Sequence, residues 1–322
     1  MSGLPLTPTP ATPPTGSPPT GTPPSALAER RGKTALRHRL AERGVDRTLL
    51  LVVPAALAMI ALFCYPFLYG LQLSFQPTKG GALGAYQQFF SEPFSRKSIW
   101  ATFSLAIPAA LINVGVSVPI SYRMRRDFRG KRLLLALLVV PITLGTVLTA
   151  EGILEFFGPA GWFNRTLHLL GLADSPVKLT MNYTGVLLSL IISGFPFAYL
   201  LTHSYLSGIH PSLERAASTL GAGWWQRFRY ITLPLLLPGL MTTFSLSFVM
   251  AFAVFPSAMM VGDPNGSTHV ISIEAYQAAL ERFDYAQGSA DAMIMTALML
   301  VVLGVIAGLR SQLYRGSTGG KG

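Results

Sequence analysis

Polar side chains inside long apolar stretches are the residues of this sequence best placed to act on a solute. A carboxylate, amide or hydroxyl is costly in hydrocarbon, so it usually faces a cavity or a polar partner. The candidates are Asn113, Thr146, Glu151, Ser193, Thr243, Ser257 and Asp291. Glu151 is the clearest of them. For Glu155 and Asp291 the alternative is solvation at an interface, because side chains there can reach water. These groups are suited to hydrogen-bond a solute along a pathway and not to catalyse a covalent reaction.

No catalytic residue, metal site or bound cofactor is predicted for this chain. A membrane-embedded enzyme needs His, Asp or Glu clustered at one depth, and the sequence has no such cluster. Cys64 is the only cysteine, and the His residues, including His203 and His210, are scattered. The sequence also lacks a phosphate-binding loop of the form G-x-x-x-x-G-K-[ST]. We therefore do not expect the chain to bind a nucleotide itself.

Six apolar stretches must position these side chains, and each is long enough to cross a bilayer. About 20 apolar residues span the hydrocarbon core as a helix. The predicted spans are 49–73, 100–122, 133–154, 183–206, 233–261 and 289–309. The sequence therefore predicts an all-α, multi-pass membrane protein with six transmembrane helices. An even number of crossings places both termini on the same side of the membrane.

The distribution of Lys and Arg sets the orientation, because short loops rich in these residues stay in the cytoplasm. They concentrate before the first span, in the second loop, in the fourth loop and in the carboxyl-terminal tail. Those assigned to the other side are Lys79, Arg96, Lys97, Arg165, Lys178 and Arg282. Both termini are thus predicted to be cytoplasmic, in a bacterial cell membrane. The net charge of +11 is explained by this orientation and by contact with the lipid bilayer, and no motif for binding nucleic acid accompanies it.

Composition divides the chain into four parts. Residues 1–28 are rich in Pro and Thr and are predicted to be a disordered cytoplasmic tail, because they offer little apolar surface to bury. A basic cytoplasmic flank follows at 29–48, the transmembrane domain covers 49–310, and a short cytoplasmic tail covers 311–322.

The fourth loop, residues 207–232, is the most structured segment predicted outside the bilayer. Ser212 is suited to cap a short helix with Glu214 in its first turn, and Gly221 is suited to end that helix in the left-handed conformation. Ala216 and Ala217 would give the helix a small face that another protein could approach closely. From the residues alone, an ordinary interfacial connector is an equally good interpretation.

The spacing in this loop resembles the cytoplasmic signature of permease subunits of binding-protein-dependent ABC importers. The family motif is Glu-Ala-Ala, three residues, Gly, nine residues, Ile, one residue and Leu-Pro. Its counterparts in this sequence are Ala216, Ala217, Gly221, Ile231, Leu233 and Pro234. Arg215 occupies the place of the family's glutamate, and Glu214 precedes it.

The resemblance implies a type I importer bundle and a set of partners. The short helix would act as a coupling helix, with Glu214 and Arg215 among its contact residues. It would contact a separate cytoplasmic ATPase dimer, which binds the ATP and Mg²⁺. A second permease subunit, related to this chain, and an extracytoplasmic solute-binding protein would complete the transporter.

A second resemblance concerns the solute. The segments 255–266, 273–276 and 285–290 resemble permeases of the spermidine/putrescine branch, and an acidic outer face suits a cation. The resemblance therefore predicts a polyamine or another small polar or cationic compound. A sugar importer permease is the nearest alternative. An ion-coupled secondary transporter is a further one, although no convincing internal repeat is present.

Overall fold

The computed structural model describes residues 47–76, 80–125, 129–172 and 174–315. The predicted disordered tail 1–28, nearly all of the basic flank 29–48 and the end of the tail 311–322 lie outside these ranges. Two compact units are distinguished, Met1–Pro66 and Phe67–Gly322. The second unit holds the features described below.

The described residues form helices without a β-strand. In chain order the helices are α1 (Arg47–Ser74), α2 (Gly84–Ser91), α3 (Pro93–Met124), α4 (Lys131–Phe157), α5 (Trp162–Leu169), α6 (Tyr183–Ser207), α7 (Pro211–Thr219), α8 (Trp224–Arg227), α9 (Leu233–Phe252), α10 (Pro256–Met260), α11 (Ile271–Tyr276) and α12 (Tyr285–Arg315). Two π-helical turns, Phe228–Thr232 and Gln277–Glu281, follow α8 and α11. Six helical segments in the described ranges are long and apolar enough to cross a membrane, as the sequence predicts.

The fifth predicted span, 233–261, is not one helix. Helix α9 ends at Phe252, the chain is irregular through Phe255, and α10 begins at Pro256. Proline has no N–H to continue the hydrogen-bond ladder, but it fits the first position of a new helix. Phe255 accordingly leaves helical geometry, with φ −133° and ψ −60°.

Helices α3, α6 and α9 pack together and form the centre of the second unit. Small side chains on α3, including Ala106, Ala109 and Ala110, are fully buried, which lets neighbouring helices approach closely. Phe248 and Phe252 of α9 belong to the same core cluster. A hydrogen bond of 2.7 Å between the Ser117 and Thr202 hydroxyls also joins α3 to α6. This packing fixes the positions of the polar groups that face the nearby cavity.

Candidate solute pathway and coupling loop

A cavity of about 300 Å³ lies beside this core. Helices α3, α4, α6 and α9 and the segment 253–257 all contribute to its wall. Four of the side chains selected from the sequence line it, namely Asn113, Thr146, Ser193 and Ser257. Ser247 lines it as well and was missed from the sequence. The structure thus brings together polar residues from four separate membrane segments.

Two interruptions of transmembrane helices meet at this cavity. Gly145, within α4, has φ 75° and ψ 176°, far from helical values. The irregular segment from Ala253 to Phe255 lines the same space. Irregular backbone at membrane depth is tolerated where it is buried in protein or faces a polar cavity. Both breaks therefore lie at the wall of this cavity.

The polar groups of the cavity are neutral and only partly satisfied. Asn113 Nδ2 donates to the Leu190 carbonyl at 3.3 Å, but Asn113 Oδ1 is buried and has no hydrogen-bond partner in the described ranges. Ser247 Oγ is also buried and has no partner among those residues. Ser189 Oγ donates to Ser257 Oγ at 2.7 Å, so the Ser257 hydroxyl hydrogen remains free to donate. Buried polar groups are rarely left unsatisfied in native structures. Asn113 Oδ1 can still accept a hydrogen bond, and Ser247 Oγ can still donate one.

The other candidates do not line this cavity. Glu151 lies on an exposed face of α4, as does Glu155. Thr243 is buried, and its hydroxyl donates to the Gly239 carbonyl at 3.0 Å. Asp291 is fully buried on α12 and accepts a 2.8 Å hydrogen bond from Gln287 Nε2. The alternative that Asp291 is solvated at the membrane interface is therefore wrong. Neither Glu151 nor Asp291 is part of the cavity wall.

An ionic cluster around the buried Glu274, which the sequence did not reveal, holds the segment between α10 and α12. Glu274 Oε2 lies 2.6 Å from His269 Nε2, and Arg282 Nη2 donates to Glu274 Oε1 at 2.8 Å. Burial alone raises the pKa of the Glu274 carboxyl, but the hydrogen bonds from His269 and Arg282 outweigh it and lower the pKa. This segment is thus fixed by contacts between residues that are five and eight positions apart in the sequence.

Helix α7 is the short helix predicted in the fourth loop, but its cap differs from the prediction. His210 is the N-cap residue, and its Nδ1 accepts from the Ser212 amide at 3.4 Å. Pro211 takes the first helical position, where the missing N–H has no consequence. The prediction of Ser212 as the cap is therefore wrong by two positions.

The carboxyl-terminal end of α7 confirms the prediction for Gly221. This residue has φ +84°, in the left-handed region. The Ala222 amide donates to the Ala217 carbonyl and the Gly221 amide to the Ser218 carbonyl, each at 3.1 Å. These two bonds form a Schellman motif, which needs a left-handed residue at the Gly221 position.

Glu214 is directed inward and ties α7 to two other elements. Arg125 Nη1 donates to Glu214 Oε1 at 2.7 Å, and Thr232 Oγ1 donates to the same oxygen at 2.9 Å. Tyr122 Oη donates to Oε2 at 3.1 Å, and Arg125 Nη2 also donates to the Ile209 carbonyl at 2.8 Å. We call Glu214, Arg125, Tyr122 and Thr232 the Glu214 network.

The Glu214 network favours the ionised carboxylate. Burial by itself raises the pKa of Glu214, but the hydrogen bonds from Thr232 and Tyr122 and the charge of Arg125 lower it below its ordinary value. Arg215, by contrast, is exposed. The two adjacent charged residues of α7 therefore have different environments, one internal and one external.

Comparison with protein families decides the class of this protein. Residues 48–313 match the family described as the inner membrane component of binding-protein-dependent transport systems. The chain belongs to this family. As a member of this family it is a permease subunit of an ABC importer and a multi-pass protein of the bacterial inner membrane; the family is one of transport subunits rather than enzymes.

Relatives of this permease include sulfate transport proteins. It is 28% identical over 226 residues to the probable sulfate transport system permease protein cysT of Chlorella vulgaris, covering 70% of this chain and 83% of the relative. It is also 28% identical over 232 residues to the sulfate transport system permease protein CysT of Escherichia coli strain K12, covering 71% and 82%.

Solved structures share the fold of the permease. A bacterial ABC transporter involved in import of the acidic polysaccharide alginate aligns over 86% of this chain and 99% of that chain, with a TM-score of 0.71 and 19% identity. A chain of the MetNI methionine ABC transporter, in an inward-facing conformation, aligns with a TM-score of 0.51 over 69% of this chain and 95% of that chain, at 15% identity. These likenesses confirm the type I importer bundle.

Replacement of Gly221 in the permease by valine should lower the number of solute molecules moved per ATP hydrolysed by about tenfold. A left-handed conformation costs a non-glycine residue about 1–2 kcal/mol, and a β-branched residue tolerates it poorly. No atom of the described residues lies within 4 Å of a Cβ added at Gly221, so the effect comes from the backbone. Coupled uptake and ATP hydrolysis, measured on the same reconstituted transporter, report this ratio.

Two controls accompany that variant. Gly221→Asn should retain most coupling, because Asn enters the left-handed region readily. Gly223→Ala changes a nearby glycine with φ −65° and should behave as wild type. Wild-type coupling in Gly221→Val would show that the turn is not needed.

Proposed function

We propose that this permease subunit forms half of a solute pathway through the cavity at Asn113, Thr146, Ser193, Ser247 and Ser257. Helix α7 is the coupling helix, and it docks onto one subunit of a separate cytoplasmic ATPase dimer. A second permease subunit supplies the other half of the pathway, and an extracytoplasmic binding protein delivers the solute. The fold, the family and the exposed α7 between two spans support this arrangement. The family also favours binding-protein-dependent transport over an ion-coupled carrier.

The solute is a small oxyanion of the sulfate type. The observation that carries this proposal is the lining of the cavity, where the described side chains are hydroxyls, an amide and apolar groups with no carboxylate. A polyamine carries several positive charges and needs carboxylates to replace its hydration. An oxyanion needs hydrogen-bond donors, which Ser247 and Ser257 can provide.

The named relatives also support an oxyanion as the solute. Those named as sulfate transport permeases support a sulfate-like solute, whereas the polyamine and sugar assignments made from the sequence gain no such support. Glu151 and Asp291, the carboxylates that a cation would use, are outside the cavity wall.

Uptake in proteoliposomes tests the function and the solute together. The transporter is reconstituted with its partner permease, its ATPase and its binding protein, and ATP is enclosed on the cytoplasmic side. We expect ATP-dependent uptake of radiolabelled sulfate that unlabelled sulfate suppresses and spermidine does not. Uptake of spermidine in preference to sulfate would overturn the oxyanion assignment. Uptake driven by an ion gradient without ATP would overturn the importer mechanism.

Replacement of Ser247 by alanine should lower sulfate uptake at subsaturating concentration by about tenfold. The Ser247 hydroxyl is buried and has no hydrogen-bond partner among the residues that the structure describes, and Ser247 is one of the residues that line the cavity. A hydrogen bond to a charged group contributes about 1.5–3 kcal/mol. The initial rate of ATP-dependent uptake measures the effect.

The matched control is Ser245→Ala on the same helix. The Ser245 hydroxyl donates to the Met241 carbonyl at 2.9 Å and does not line this cavity. Its removal should leave uptake within twofold of wild type. Equal loss in the two variants would indicate a general disturbance of α9 rather than a solute contact.

A further inference from the structure

Helix α7 has an inner face and an outer face. Glu214 and Ala217 are half-buried, and Glu214 is engaged in the Glu214 network. On a helix of 3.6 residues per turn, Ser212, Ala216 and Thr219 lie opposite Glu214, and Arg215 lies about 100° from it, at the edge of that face. All of these are exposed. Ala216 and Ala217 therefore do not form one small face as predicted. Ala216 lies on the outer face, and Ala217 lies on the inner face.

Arg215 is the charged residue of the outer face. The Thr219 hydroxyl donates to the Ala216 carbonyl at 2.7 Å, and the Ser212 hydroxyl lies 2.8 Å from His210 Nδ1. These hydroxyls are thus occupied within α7 and its cap. Within the described part of the chain Arg215 has no acidic partner. Its guanidinium therefore keeps its donors available for a second protein.

Two leucines border this face and add an apolar component. Leu213 is 46% exposed and Leu220 is 88% exposed. A large apolar side chain exposed to that extent beside a small Ala216 is typical of a helix that lies in a groove of a partner. The surface that α7 offers therefore has Arg215 along one edge and Leu213 and Leu220 along the other.

We propose that the ATPase groove that receives α7 carries an acidic side chain opposite Arg215 and apolar surface for Leu213 and Leu220. This inference rests on the proposed function of α7 as the coupling helix. Docking along the outer face removes Arg215 from water, and an unpaired buried charge is strongly unfavourable. A carboxylate compensates it best, because the planar guanidinium can donate two parallel hydrogen bonds to one carboxylate.

Glu214 does not compete for this role. Its two oxygens already accept three hydrogen bonds from Arg125, Thr232 and Tyr122. The residue presented to the ATPase is thus a cation at the place where the family motif has a glutamate. A matching ATPase must have the opposite charge at the contact point, so the pair is expected to be specific for its own partner.

The test compares charge variants of Arg215 in the complete transporter. Arg215→Glu should reduce the fraction of ATPase that co-purifies with the permease at least tenfold, because it places a carboxylate against the acidic groove. Arg215→Gln should give an intermediate loss, and Arg215→Lys a smaller one. Replacing the acidic residues of the ATPase groove by lysine, one at a time, should identify one replacement that restores the association of Arg215→Glu.

A control and a folding check make the result interpretable. Arg229→Glu makes the same charge change at an exposed residue outside α7 and should leave association within about twofold of wild type. Membrane yield and elution volume of each permease variant establish that it is folded.

The outcomes separate this inference from the function on which it rests. If wild-type permease retains no ATPase, the proposed coupling role of the chain is overturned. If wild-type permease retains the ATPase and Arg215→Glu retains it equally well, the coupling role stands and the acidic contact is overturned. Failure of every lysine replacement to restore Arg215→Glu would also overturn the acidic contact.

Discussion

Replacing Gly145 with alanine should reduce ATP-dependent solute uptake at least tenfold. Gly145 has φ 75° and ψ 176° in the middle of α4, a conformation that is essentially restricted to glycine and costs other residues about 1–3 kcal/mol or more. In the part of the chain that the structure describes, no atom lies within 4 Å of a Cβ added at Gly145. The variant would therefore fail through its backbone rather than through a collision. The rearrangement of lowest free energy in the variant is for α4 to continue as a regular helix through residue 145.

A regular α4 would alter the cavity wall directly. Pro141, Ile142, Gly145 and Thr146 all line the cavity, and helical values at Gly145 would rotate the residues on one side of the break relative to the other. Thr146 would then leave its present position. Transport depends on a continuous set of polar contacts, so we expect the rate of the solute step to fall while the complex still assembles.

Gly152→Ala on the same helix is the matched control. Gly152 lies in the regular part of α4, without a positive φ and with open space around the site of the added Cβ. Alanine is favoured over glycine by about 1 kcal/mol within a helix, so this variant should be at least as stable as wild type and transport normally. Equal uptake by the Gly145 and Gly152 variants would show that the break in α4 is dispensable.

Much of the architecture could be predicted because it depends on local sequence. Six hydrophobic stretches of bilayer length give the spans, and the end of α7 follows from one glycine at the correct distance. The cavity residues Asn113, Thr146, Ser193 and Ser257 were identified because polar groups in apolar spans are rare enough to be selected one by one. Their convergence on one space depends on the packing of separate helices, which spacing within one span does not show.

The residues that were missed depend on contacts far away in sequence. Ser247 resembles Ser245 and Thr242 in the same helix, whose hydroxyls donate to carbonyls of their own helix. Only the neighbouring helices determine that Ser247 faces a cavity. Glu214 meets Tyr122 and Arg125 across 92 and 89 residues. A motif can locate α7, but it cannot reveal which of two adjacent charged residues turns inward.

Replacing Glu214 with alanine should lower transport per ATP hydrolysed at least tenfold while ATP hydrolysis continues. The change removes the acceptor of Arg125, Tyr122 and Thr232 together. Arg125 is 18% exposed in its side chain, and loss of one partner of such a polar contact costs about 1–3 kcal/mol. Helix α7 would then be less firmly attached to α3 and to Thr232. Motion of the ATPase would displace α7 without moving the spans.

The carboxylate state of Glu214 is maintained throughout the physiological range. Its folded pKa is lowered from an ordinary value of 4.5. The stabilising contribution is therefore fully present above that value and is lost as the pH falls through the lower folded pKa. The ratio of solute uptake to ATP hydrolysis should consequently not change near neutral pH through titration of Glu214.

The control for Glu214→Ala is Glu155→Ala, which removes an exposed carboxylate of α4 and should leave this ratio unchanged.

A double-mutant cycle assigns the loss to the contact itself. If Glu214 and Arg125 act through each other, Arg125→Ala should reproduce much of the effect of Glu214→Ala, and the double variant should be little worse than either single one. Losses that multiply in the double variant would instead mean independent roles, and would contradict the Glu214 network as the attachment of α7. Arg125→Ala also removes the donation to the Ile209 carbonyl, whereas Glu214→Ala also removes the acceptor of Tyr122 and Thr232. The ratio of uptake to ATP hydrolysis, measured for all four proteins in the same vesicles, distinguishes a loosened α7 from a lost ATPase, since only the former leaves hydrolysis intact.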